Sequence, residues 1–223
     1  MGNSITHAAV STQPVRVPCG GAILDGDLAI PEAASGIVLF VHGSGSSRHS
    51  PRNRQVAEHL QEGGLATLLF DLLTHGEEVS DLQSGEFRFN IDLLAGRVAS
   101  VTQWLRSEPA TRRLKIGYFG ASTGAAAALV AVAQHPTEVA AVVSRGGRPD
   151  LAEESLARVN APTLLIVGGA DPIVLGLNEQ ALARLRCQKE LRVIDGATHL
   201  FEEPGTLARV ARLARAWFRQ YLR

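Results

Sequence analysis

An α/β fold, a mostly parallel sheet wrapped on both faces by helices, is predicted by three features of this 223-residue sequence. Short apolar runs rich in Val, Ile and Leu alternate with helix-length amphipathic segments six times, as they do where parallel strands are joined by helical crossovers. Several runs, Ile37-Val38-Leu39-Phe40-Val41 among them, are apolar without alternation, like strands buried on both faces. Ala, Leu, Val and Gly are abundant while aromatics make up only 5%, which suits helices lying close on a sheet. No repeat, low-complexity tract or linker-like stretch interrupts the pattern. Residues 1–223 are therefore expected to form one domain, with 1–13 as a flexible tail.

The elements follow in order. Residues 14–18 and 22–30 read as two extended runs, the second alternating Leu24, Gly26, Leu28 and Ile30 against Asp25, Asp27 and Ala29, and form an antiparallel ribbon at a sheet edge. A turn over 31–36 leads into strand 37–41, which ends abruptly in His42-Gly43-Ser44-Gly45-Ser46-Ser47. Ser50 and Pro51 mark the start of a helix over 51–62, closed by Gly63-Gly64. Strand 65–70 precedes a helix over 90–106 with Leu93, Leu94, Val98, Val101 and Leu105 at helical spacing. Strand 114–119 and helix 122–134 follow, then strand 139–144, a weak helix over 151–158, strand 163–167, helix 177–185, strand 191–194 and a last helix over 204–222. Arg209, Arg212, Arg215, Arg219 and Arg223 form the solvated face of that last helix, opposite Leu207, Val210, Leu213 and Trp217. Ligands of such a sheet bind at the carboxyl ends of its strands.

Composition removes several functions. Twenty-two Lys and Arg balance 22 Asp and Glu, which argues against a nucleic-acid binder. Two distant cysteines, Cys19 and Cys187, cannot build a disulfide scaffold, and a reducing cytoplasm fits. The opening Met1-Gly2-Asn3-Ser4-Ile5-Thr6 lacks a secretory pattern. It matches the myristoylation consensus at Gly2, but the match is short and an ordinary start is expected. No run approaches the roughly 20 apolar residues that span a bilayer. The expectation is a cytoplasmic protein without membrane or nucleic-acid partners, its oligomeric state left open.

Chemistry concentrates at Gly120-Ala121-Ser122-Thr123-Gly124, between the apolar strand and Ala125-Ala126-Ala127-Ala128. A lone G-x-S-x-G is weak, but between a strand and a helix it forms a sharp turn that projects the serine hydroxyl clear of the backbone. Serine at its free pKa is a poor nucleophile and needs a base held by a carboxylate. On such a sheet these partners follow the serine in the order acid, then histidine, each after a strand. Asp171, in Gly168-Gly169-Ala170-Asp171-Pro172, and His199, in Gly196-Ala197-Thr198-His199, meet that order, with Asp150 as the lesser candidate for the acid. The other six histidines all precede the acid. An oxyanion hole requires two backbone N–H groups. Thr123, at a helix N-terminus, and Ser44, in the loop after strand 37–41, are the expected donors, converging with Ser122 Oγ on one point.

These segments, with Val41-His42-Gly43-Ser44-Gly45-Ser46-Ser47, Phe70-Asp71-Leu72-Leu73-Thr74 and Thr198-His199-Leu200-Phe201-Glu202, resemble the α/β-hydrolases, and most closely the small dienelactone-hydrolase-related branch. The resemblance covers the chain from about residue 14 onward. It implies an eight-stranded, mostly parallel sheet and a hydrolase without cofactor or metal. Dienelactone hydrolases proper use a cysteine nucleophile; Ser122 in its place favours a serine carboxylesterase acting on small or accessible esters. His42 is expected to brace the oxyanion loop, with Asp71 and His75-Gly76 in a similar role. Arg145 and Arg148 are placed at the rim of the site, where they could meet an anionic substrate group or pair with Asp150, Glu153 or Glu154. Between Ser144 and Thr163 there is no room for a substantial lid.

Rival readings fare less well. A metal hydrolase lacks H-E-x-x-H and paired cysteine ligands, and a nucleotide-binding module lacks the P-loop lysine and the third glycine of G-x-G-x-x-G. An idle α/β-hydrolase scaffold would not need all three triad residues. Thioesterases and acyltransferases share the acyl-enzyme, and sequence alone does not separate them from esterases.

Overall fold

A computed structural model describes residues 10–223. Fifteen elements follow one another: β1 (Thr12–Cys19), β2 (Ala22–Ala29), β3 (Gly36–Val41), α1 (Pro51–Glu62), β4 (Ala66–Phe70), α2 (His75–Ser84), α3 (Ile91–Ser107), β5 (Lys115–Ala121), α4 (Thr123–Gln134), β6 (Ala141–Arg145), a 3₁₀ segment (Pro149–Arg158), β7 (Thr163–Gly168), α5 (Pro172–Arg184), β8 (Lys189–Ile194) and α6 (Thr206–Tyr221). The strands form one eight-stranded sheet in the order β1-β2-β4-β3-β5-β6-β7-β8. β1 and β2 run antiparallel at one edge, β2 meets β4 antiparallel, and every pairing from β4 through β8 is parallel. This is the α/β-hydrolase architecture, and it leaves one row of carboxyl-end loops on which a site can be built.

The pleat sorts the core into two layers. In β3, Ile37, Leu39 and Val41 join the cluster under α3, α4 and the 3₁₀ segment, whereas Val38 and Phe40 join the cluster under α1 and α6. Ala125 to Ala128 of α4 are fully buried, and their small side chains let that helix lie close to the sheet. The α1 cap is as the sequence indicates: the Ser50 side chain accepts from the Asn53 amide, with Pro51 in the first turn. Arg209, Arg212, Arg219 and Arg223 of the last segment are exposed and Arg215 is half-buried.

Three expectations are corrected. Thr12 and Gln13, expected within a flexible tail, instead pair with Ala29 and Leu28 in β1; residues 1–9, with the Gly2 consensus, lie outside the described residues. Helix α5 begins at Pro172, because Asp171 caps it, and not near Leu177. Helix α2 falls between strand 65–70 and helix 90–106, where the sequence pattern indicates no element. Its only buried residue is Asp81, so it has no apolar stripe to betray it; a reciprocal Thr74–Glu77 capping box starts it and Gly85, at φ 66°, ends it.

Candidate active site

Ser122 occupies the turn between β5 and α4 with φ 49° and ψ −125°, a region that a residue with a side chain enters at a cost of about 1–3 kcal/mol. Its surroundings hold it there. The Ser122 amide donates to Arg145 O at 3.4 Å, and its carbonyl accepts from the amides of Ala125 at 3.1 Å and Arg148 at 3.0 Å. At Gly124 any Cβ would collide with the carbonyls of Val41 and His42, so α4 can start against the end of β3 only with glycine there. The Ser122 hydroxyl makes no capping bond and is left available.

Asp171 and His199 meet across the loops after β7 and β8. His199 Nδ1 donates to Asp171 Oδ2 at 2.8 Å, while Asp171 Oδ1 accepts from the Val174 amide at 3.4 Å. One carboxylate oxygen thus starts a helix and the other fixes the imidazole with Nε2 outward. The Ala170 amide donates to Ala197 O at 2.9 Å, binding the acid loop to the histidine loop. Glu203 accepts from the Thr198 amide and hydroxyl at 3.1 and 2.6 Å and steadies the residue before the imidazole. Asp150, the lesser candidate for the acid, is engaged elsewhere: Arg148 grips it with two bonds of 2.9 and 2.8 Å.

The oxyanion loop after β3 is braced from behind. His42 Nδ1 donates to Gly43 O at 2.9 Å and its Nε2 accepts from the Leu72 amide at 3.0 Å, so the ring couples the loops after β3 and β4. Burial lowers the His42 pKa, against smaller upward pulls from Gly43 O and Asp71, and keeps the ring neutral. Asp71 accepts from the Arg48 amide at 2.7 Å and forms an ion pair with its guanidinium. Ser44 and Thr123 do come together, but not as expected. The Ser44 amide donates to Thr123 Oγ1 at 2.9 Å, so the expected second oxyanion donor is occupied by a neighbouring side chain. A Thr123 rotamer change would free it. The Thr123 amide itself sits in the first turn of α4, where backbone N–H groups have no intrahelical acceptor.

Neither arginine stands as a free rim cation. Arg145 is only 6% exposed, and because β6 is pleated it shares the face of Val143, under α1 and α6. Its guanidinium donates to Asn53 Oδ1 at 3.1 Å and lies 6.0 Å from the centroid of Phe201, with no carboxylate partner among the described residues. Burial, with Arg52 nearby, pushes its pKa down to about 10. Arg148 remains partly exposed, but Asp150 takes its donors.

A cavity of about 590 Å³ opens beside the oxyanion loop. Ser44, Leu73, Val79, Leu82 and Leu94 help line it; Ser122, Asp171 and His199 do not. Sequence reasoning missed it because α2 supplies one wall; the Thr74-x-x-Glu77 capping pattern was the available signal. Among the described residues no group of three or more His, Cys, Asp or Glu could hold a metal ion.

Comparison with known proteins agrees with this architecture. The crystal structure of a dienelactone hydrolase from Anabaena variabilis superimposes with a TM-score of 0.95 at 58% identity, over 97% of this chain and 100% of that one. A putative phosphoribosyl transferase of Mycobacterium tuberculosis is 57% identical over 210 residues, 94% of this chain but 46% of the relative, so the chain spans about half the length of that protein. The esterase domain of a Rhodothermus marinus protein, at 20% identity and a TM-score of 0.74 over 95% of this chain and 99% of that one, shares the fold. Residues 24–221 match the model of the dienelactone hydrolase family, and the chain belongs to that family of hydrolases.

Proposed function

We propose that the protein is a serine carboxylesterase that cleaves small-molecule esters through an acyl-enzyme, without a cofactor, in the cytoplasm. The observation that carries this reading is the Asp171–His199 hydrogen bond of 2.8 Å on the same sheet edge as the strained Ser122 turn. His199 Nε2 takes the Ser122 proton as Oγ attacks the ester carbonyl. The amides of Thr123 and Ser44 receive the oxyanion, the latter once Thr123 Oγ1 has turned away. His199 then gives the proton to the departing alkoxide, and water repeats the sequence to release the acid. Asp171 stays ionised and stabilises the imidazolium.

The name phosphoribosyl transferase belongs to a polypeptide of which this chain matches 46%. The match takes in 94% of this chain, and acyl chemistry is what this chain's own serine, acid and histidine loops support. Thioester cleavage and acyl transfer proceed through the same intermediate. The test is mass spectrometry after an organophosphonate, with p-nitrophenyl acetate turnover alongside. Ser122 should carry the adduct, and Ser122→Ala should lose both label and turnover; retention of full turnover would falsify the assignment.

A further inference from the structure

The cavity beside the oxyanion loop has a defined side. Along the carboxyl edge of the sheet the loops after β4 and β3 come first, then Ser122 after β5, then the loops after β6, β7 and β8, the last two holding Asp171 and His199. In the tetrahedral intermediate His199 must reach both the Ser122 oxygen and the leaving oxygen. The alcohol therefore lies toward β6–β8, which leaves the acyl chain on the side away from His199, beside the oxyanion and next to the loops after β3 and β4. The cavity is on that side. All its lining comes from the oxyanion loop, the start of α1, the segment after β4, α2, Arg88 and α3. A Cβ placed on Gly43, one of the lining residues, would be 2.9 Å from Ser122 Cβ, so the cavity begins next to the nucleophile.

Its lining is mixed: five Leu and Val residues give it an apolar side, alongside the serines of the oxyanion loop and three histidines, and neither lining arginine is unpaired. Leu72, Leu73 and Leu94 are buried in its floor, while Val79 and Leu82 of α2 turn toward it 54% and 79% exposed. Apolar side chains left open beside a reactive group are satisfied by an apolar ligand. The two lining arginines already hold carboxylates: Arg52 with Glu202 at 3.3 Å, and Arg88 with Asp81 at 2.5 Å. Glu78, whose carboxyl is pushed up by burial and by Asp71, adds no attraction for an anion. We propose that this cavity is the acyl-side specificity pocket and that it selects uncharged, medium-length alkyl or arylalkyl acyl groups over short or anionic ones. The proposal rests on the esterase reading and goes beyond it by naming the substrate class.

The experiment uses the full chain and three ester sets. Across p-nitrophenyl acetate, butyrate and hexanoate, kcat/KM should rise about three-fold per added methylene as each is buried. The mono-p-nitrophenyl ester of adipic acid, as long as the hexanoate but anionic, should be cleaved at least ten-fold more slowly. Methyl, butyl and hexyl hexanoates, which vary only the alcohol, should differ by less than three-fold. Leu82→Trp and Val79→Trp fill the cavity from an exposed helix face. Each should cost at least ten-fold on hexanoate while leaving acetate within two- to three-fold, with melting temperatures confirming the fold. Equal turnover of acetate and hexanoate, a steeper dependence on alcohol than on acyl length, or equal losses on both esters in the tryptophan variants would overturn the pocket while leaving the Ser122 esterase intact. If no ester turns over above the Ser122→Ala background, both readings fall.

Discussion

The two halves of the sheet's carboxyl edge are built on opposite terms. From β5 to β8 the loops are locked: the Ser122 turn is held by three backbone hydrogen bonds, and the Asp171 and His199 loops are pinned to each other. From β4 to β3 the edge is open, with a cavity of about 590 Å³ and a helix, α2, that buries only Asp81. The difference teaches where chemistry and selectivity can be changed separately. Substitutions on the locked half should remove turnover for every ester, and those on the open half should change which ester is preferred.

The largest effect breaks the locked half outright. Ser122→Ala should lower kcat by roughly 10⁴- to 10⁶-fold, read in steady-state assays, with the melting temperature unchanged or raised because alanine removes no capping bond. Asp171→Asn comes next. Asn can keep a bond to His199 but favours the wrong tautomer, so kcat should fall about 10³- to 10⁴-fold with KM within a few-fold. If Asp171→Asn were nearly as active as the parent, the 2.8 Å contact would be structural and the acid would have to be sought elsewhere.

Thr123→Val sharpens the boundary between the halves, since Thr123 Oγ1 is the group across which they touch. Valine keeps the shape and removes the acceptor of the Ser44 amide. Because Thr123 Oγ1 must turn away before the Ser44 amide meets the oxyanion, Thr123→Val should raise kcat a few-fold with little change in KM and Thr123→Ser should stay near the parent; a roughly ten-fold fall that Thr123→Ser restores would mean that the hydroxyl positions the amide instead.

How legible each half was follows from the same contrast. The locked half is written in local signals: a glycine-flanked serine after a buried strand, and an acid and a histidine each just past the next usable strand. Such sharp turns tolerate few residues, so the sequence betrays them. Helix α2 has no such signature. Its stability comes from a capping box and from Asp81, which accepts from the amides of Phe87 and Arg88 at 2.7 and 3.1 Å, and polar bonds of this kind leave no period in the hydrophobicity. Arg145 was misplaced for a different reason. An arginine after Val142-Val143-Ser144 reads as the start of a loop, but β6 runs through Arg145, and period two puts it with Val143 on the buried face.

That burial gives a smaller test. Among the described residues Arg145 has no carboxylate partner; it is linked to the histidine loop through Phe201 and to α1 through Asn53. Exchanging a buried, unpaired charge for an apolar side chain of similar length tends to stabilise. Arg145→Met should raise the melting temperature by about 2–4 °C, equivalent to ~1 kcal/mol, and lower kcat several-fold as Phe201 and the adjoining loop loosen. A lower melting temperature would mean that the Asn53 and Phe201 contacts outweigh the desolvation of the charge.

The smallest effect concerns His42, the brace behind the open half. Its pKa is lowered in the folded protein, chiefly by burial, so between the folded value and the unfolded value near 6.5 the unfolded chain binds more protons. Stability attributable to His42 is therefore full above about pH 6.5 and is lost as the pH falls toward the folded pKa. Protonation would also turn Nε2 from the acceptor of the Leu72 amide into a donor, breaking the tie between the loops after β3 and β4. His42→Gln can both donate and accept without titrating. At pH 7.5 it should cost about 1 kcal/mol through poorer geometry. Between pH 7.5 and 5.5 its melting temperature should fall less than that of the parent, so that the two curves approach each other in acid; parallel curves would show that the acid sensitivity of this edge has another source.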